Sequence, residues 1–97
     1  MRVDIGTASG TGQISNTSDI VMVIEFHARS KNDGLVYVGL SDVSDNNGRE
    51  LAAGETYALN FASAYEIDRR HPEILMSQFY VQVADGDKVD WSAIFRS

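Results

Sequence analysis

The sequence predicts an all-β fold, an antiparallel β-sandwich or jelly-roll-like barrel of about 6–8 short strands. Three observations carry that expectation. Apolar and polar residues alternate with period two along most of the chain, turn-forming Gly, Asn and Asp separate the alternating runs, and 97 residues hold one domain.

A short opening strand is expected near Arg2–Gly6. The residues around it, Gly6-Thr7-Ala8-Ser9-Gly10-Thr11-Gly12, have no core period of their own. Residues 1–18 are therefore expected to form an extended N-terminal arm, flexible or paired with something else, ahead of a β-sandwich domain over 19–97. From Asp19 to Arg29, Ile20, Met22, Ile24, Phe26 and Ala28 fall on one face. Val21, Val23, Glu25, His27 and Arg29 fall on the other, so the second face begins apolar and ends charged.

Later strands are expected over 35–40, 55–62, 78–84 and 88–96. In these, Tyr57, Leu59 and Phe61 share a side, as do Phe79, Val81 and Val83, and Val89, Trp91, Ala93 and Phe95. Tyr37, Tyr57 and Trp91 are expected to pack inward, whereas Tyr80 points away from its apolar neighbours. Lys31-Asn32-Asp33-Gly34 and Asp85-Gly86-Asp87 carry hairpin chemistry, the first with positive φ expected at Asp-Gly. Asp45-Asn46-Asn47-Gly48 and Ala53-Gly54 supply two further turns. One long connection, 62–75, is charged and holds a short helical or irregular insertion near 63–72, which Pro72 ends by Arg70.

Eight Lys and Arg against fourteen Asp and Glu give a net charge of −6, which argues against a nucleic-acid partner. No apolar run reaches the roughly 20 residues of a membrane helix, and no apolar stretch of a signal peptide follows Arg2. The chain has no cysteine, so disulfides, thiolate metal sites and a cysteine nucleophile are excluded. The glycine-rich opening lacks the Lys-Ser/Thr and the following helix of a phosphate loop. His27 sits between Glu25 and Arg29 and His71 precedes Pro72; both suit a solvated surface, and no serine lies in a nucleophile elbow. Asp85, Asp87 and Asp90 are expected to be exposed carboxylates around the last turn, with a weak divalent-cation site at Asp85/Asp87 as the sharper alternative. No catalytic residue, cofactor or metal ligand is therefore assigned.

The order of the motifs carries a resemblance. Val36-Tyr37-Val38-Gly39 is followed by Ser41-x-Val43-Ser44, then by Gly48-x-Glu50-Leu51-Ala52-Ala53-Gly54-Glu55-Thr56 and Leu59-x-Phe61. The chain closes on Phe79-Tyr80-Val81-x-Val83-Ala84-Asp85-Gly86-Asp87-x-Val89-Asp90-Trp91. Over roughly residues 20–95 this resembles the small β-sandwich structural proteins of tailed bacteriophages, the capsid decoration (cement) and head-fibre type. The resemblance implies a non-enzymatic virion protein on the outer capsid surface, assembled in the host bacterial cytoplasm. It would bind the shell of major capsid protein and itself, with a trimer favoured, and would bind neither nucleic acid nor membrane. A carbohydrate- or surface-binding module, or a neck or tail accessory protein, is the alternative. The apolar positions expected to touch the shell or a second protomer are Val21, Val23 and Tyr80, with Ile5 and Ile14 of the N-terminal segment. The charged connection 62–75 departs from the group's pattern.

Overall fold

Eight strands follow one another in a computed structural model that describes residues 2–44, 47–61 and 74–96. They are β1 (Arg2–Ala8), β2 (Gly12–Gln13), β3 (Val21–Ala28), β4 (Val36–Gly39), β5 (Arg49–Leu51), β6 (Thr56–Asn60), β7 (Tyr80–Gln82) and β8 (Val89–Phe95). A 3₁₀ turn, Met76–Gln78, precedes β7. The expected insertion near 63–72, with Tyr65, His71 and Pro72, lies outside the described residues, as do Asp45 and Asn46.

The strands form two four-stranded antiparallel sheets, one ordered β1-β8-β3-β6 and the other β2-β7-β4-β5. The pairs β1·β8, β2·β7, β3·β6 and β4·β5 are the four rungs of one long hairpin. Rolling that hairpin up brings β8 beside β3 and β7 beside β4, which completes both sheets. This is jelly-roll topology, and it makes the expected sandwich an eight-stranded one.

Alternation decides what lies between the sheets. Val89, Trp91, Ala93 and Phe95 of β8 are buried, as are Phe26 and Ala28 of β3 and Val36 and Val38 of β4. Phe79 and Val81 lie beside the β4 residues in the second sheet and face those of β3 and β8, and the rings of Phe26 and Phe79 meet across the sandwich at 5.9 Å and 52°. Tyr57, Leu59 and Phe61 close the side of the core as partly buried neighbours, the expected inward set of β6.

Four expectations need correction. At the start of β3 the register against β8 slips: Val21 pairs with Phe95 and Val23 with Ile94, leaving Met22 as one extra residue. The bulge turns Val21 inward at 0% exposure, three residues before the equally buried Ile24. The expected division of Ile20, Met22 and Ile24 against Val21 and Val23 therefore holds only from Ile24 onward.

Residues 2–13 are not a free arm. β1 pairs with β8 over seven residues and β2 continues into the other sheet beside β7. Thr11 extends that second pairing, its hydroxyl donating to the Val83 carbonyl (3.2 Å) and accepting from the Val83 amide (3.0 Å).

The turns Lys31–Gly34 and Asp85–Asp87 are corners rather than hairpins, because β3 and β4, like β7 and β8, lie in opposite sheets. Gly86 takes φ +87° while Asp85 does not enter positive φ, and the Asp87 amide closes on the Ala84 carbonyl at 3.0 Å. A primed two-residue hairpin of type I′ needs positive φ at both central residues; this type II-like turn instead splays the strands it joins. Ala53-Gly54 repeats the device between β5 and β6, with Gly54 at φ +86°. Gly34, expected at positive φ, is not there. Only the β4–β5 connection, closed by the Ser44–Asn47 bridge, joins neighbours in one sheet.

The fourth correction concerns Asp87. It is 3% exposed rather than a solvated turn carboxylate. Its two oxygens accept from the amides of Asp33 (2.9 Å) and Gly34 (3.1 Å), which satisfies the buried charge. Beside it, Asn32 exchanges two hydrogen bonds with the Lys88 backbone, donating to its carbonyl (2.8 Å) and accepting from its amide (2.9 Å). The two corners are thus locked to each other.

Candidate interaction face

The outer face of the β1-β8-β3-β6 sheet is composed in three rungs that follow from strand register. Val3, Ile94, Val23 and Asn60 form the first, Ile5, Ser92, Glu25 and Ala58 the second, and Thr7, Asp90, His27 and Thr56 the third. One end is apolar and the other polar. Val3 and Ile5 are 62% and 75% exposed, and they belong to an edge strand. Exposed β-branched residues on a sheet edge invite a partner, because both apolar surface and backbone hydrogen-bonding groups are offered together.

The polar rung is built around Asp90. Arg29, just past the end of β3, reaches across with Nε donating to Oδ2 and Nη2 to Oδ1, each at 2.9 Å. Thr7 of β1 adds its hydroxyl to Oδ1 at 2.7 Å. The Arg29 hydrogen bonds, then that of Thr7, hold the Asp90 carboxyl down at about 2 against the opposing effect of burial. Next along the rung, His27 Nδ1 and Thr56 Oγ1 lie 2.9 Å apart.

A depression of about 320 Å³ spans the middle rung and the polar one, with Thr7, His27 and Asp90 lining it beside Ile5, Ser92 and Glu25. Its form has a simple origin. Ser92 on β8 is small, and the larger Ile5 and Glu25 stand on the strands either side of it. Gly6 lets β1 sit close, since the Trp91 ring occupies the space where a Cβ would lie, at 2.6 Å from Cζ2. Gly39 plays a similar part in the other sheet, where Val43 Cγ2 lies 3.2 Å from the position a Cβ would take.

Of the five residues expected at an interface, Ile5 and Val23 share this outer face, two strands apart. Val21 is in the core because of the bulge, and it cannot serve as a surface contact. Ile14 also packs against the core, its amide bonded to the Phe79 carbonyl at 3.2 Å. Tyr80 is half-buried in the opposite sheet, paired with Gln13 and Gly39. Tyr37, expected inside, is half-buried on the strand position opposite to the buried Val36 and Val38. Val3, Ile94 and Ser92 were not singled out by sequence. Their faces were readable from alternation, but their meeting depends on β1 lying beside β8 and β8 beside β3.

Among the described residues, no three His, Asp or Glu are grouped to hold a metal ion. Nor, among the described residues, is any helix long and apolar enough to cross a membrane. Compared with known protein families, curated proteins and solved structures, the chain matches none.

Proposed function

We propose that this chain is a non-enzymatic structural protein of a bacteriophage virion, of the capsid decoration type. It associates with itself, a trimer being the expected form, and attaches to the outside of a shell of major capsid protein. The observation that carries this reading is the apolar row Val3, Ile94 and Val23, continued by the exposed Ile5, on one sheet face ending at an edge strand. A face of this kind serves attachment without chemistry, by burying apolar area against a complementary surface. The jelly-roll scaffold supports it by fold analogy, and the net charge of −6 suits a position away from packaged DNA.

Co-sedimentation with purified phage heads tests attachment. The protein is expected to pellet with expanded shells and not with unexpanded ones, and the double substitution Val3→Lys/Ile5→Lys is expected to abolish it. Light scattering tests self-association. A monomer at high concentration together with no binding to either shell form overturns the reading.

A further inference from the structure

The depression in the middle rung has a chemistry of its own. Its walls differ: Ile5 offers an apolar flank on β1, and Glu25 offers a carboxylate on β3, with Ser92 on the floor between them. Neighbouring Asp90 is already neutralised by the two-pronged contact with Arg29. Glu25 is exposed and, among the described residues, its carboxylate makes no ion pair or hydrogen bond. Thr7, His27 and Asp90 line the polar end of the same cleft, Thr7 and Asp90 bonded to each other and His27 Nδ1 lying 2.9 Å from Thr56 Oγ1, so the Glu25 carboxylate is the one unpaired acidic group in the lining, beside an apolar wall. With β8 between them and neighbouring strands about 4.8 Å apart, Ile5 and Glu25 are separated by roughly 10 Å, room for one side chain to lie between them.

We propose that this cleft receives an arginine side chain presented by a partner protein. The methylene stem lies along Ile5, and the planar guanidinium pairs with the Glu25 carboxylate, a geometry that delivers two parallel hydrogen bonds. A second copy of this chain packed face to face is disfavoured, because that arrangement brings Glu25 towards Glu25 in a molecule of charge −6. A different protein with a basic, apolar-flanked surface segment suits the cleft better than a second copy packed face to face. The inference concerns the cleft alone, so it stands or falls separately from the virion reading.

The test uses the intact protein and Nα-acetyl-argininamide, followed by amide chemical shifts in nuclear magnetic resonance titrations. Saturable shifts are expected at Ile5, Glu25 and Ser92, weakening as ionic strength rises. Glu25→Gln is expected to lower the affinity about tenfold, and Ile5→Ser to lower it several-fold while the protein stays folded. The neutral citrulline analogue is expected to produce no saturable shift. Equal binding of the citrulline analogue, unchanged affinity in Glu25→Gln, or shifts of equal size at distant carboxylates such as Asp42 would each overturn the assignment. Because no shell enters the experiment and the readout is arginine binding rather than assembly, failure here leaves the assembly reading untouched.

Discussion

Single residues set the geometry of the outer face. Gly6 is the sharpest case, because β1 can lie flat on β8 only if nothing projects where the Trp91 ring sits. Gly6→Val is expected to cost roughly 1–3 kcal/mol, through displacement of either the ring or the strand. Chemical denaturation measures it, and an unchanged midpoint would mean that β1 is not held where the structure places it. Asp90 makes a different prediction. Its carboxyl is held at about 2 in the fold against 3.8 for the free group. A depressed value means that the folded state keeps the charged form, so the contribution is complete above about pH 4 and is lost as pH falls through 2. The effect is modest, since both side chains of the pair are more than a third exposed at 43% and 37%. The stability gap between the natural protein and Asp90→Asn should therefore be constant from pH 5 to 7 and should close between pH 4 and 2, followed by urea denaturation at each pH.

At the scale of elements, turns and a bulge decide which strands meet. The corners Lys31–Gly34 and Asp85–Asp87 lie at one end of the sandwich, and buried Asp87 ties them together through the Asp33 and Gly34 amides. Removing that carboxylate leaves two amides in search of partners. Asp87→Ala is expected to cost about 1–3 kcal/mol, whereas Asp85→Ala, at an exposed position, should stay within about 0.5 kcal/mol. Equal effects from the two substitutions would show that Asp87 does not clamp the corners. Alternation made the faces of β6, β7 and β8 legible, because a two-residue period survives wherever a strand pairs regularly. It failed at Val21 because a bulge adds one residue to β3 alone, and the hydrophobic Ile20-Val21-Met22-Val23-Ile24 run offers no polar marker of the slip. Turn chemistry likewise suggested hairpins where the structure has two corners. A Gly after Asp or Ala allows positive φ, but only the partner strands fix whether the first central residue adopts it too.

For the whole molecule, residues 2–20 contribute two strands and no fully buried core residue; only Ala8 and Ile14 pack partly against the core. Burial rather than pairing resists local opening, so β1 and β2 belong to the low-stability part of the fold. Native-state hydrogen exchange is expected to show β1 amides exchanging well before those of the central β3 and β8; equal protection throughout would mean that the sandwich opens only as a unit. By itself the sequence determined the all-β class, most of the inward residues, the acidic and cysteine-free character, and an N-terminal segment without a core period. These are local properties, set by the two-residue repeat of a strand and by side-chain chemistry. Only the tertiary structure decided that the segment lies on its own sheets, that Val21 turns inward, and that Ile5, Ser92 and Glu25 form one rung. Each of those depends on which strands become neighbours, and rolling one long hairpin pairs residues as far apart as Arg2 and Phe95, a relation that no local window of sequence contains.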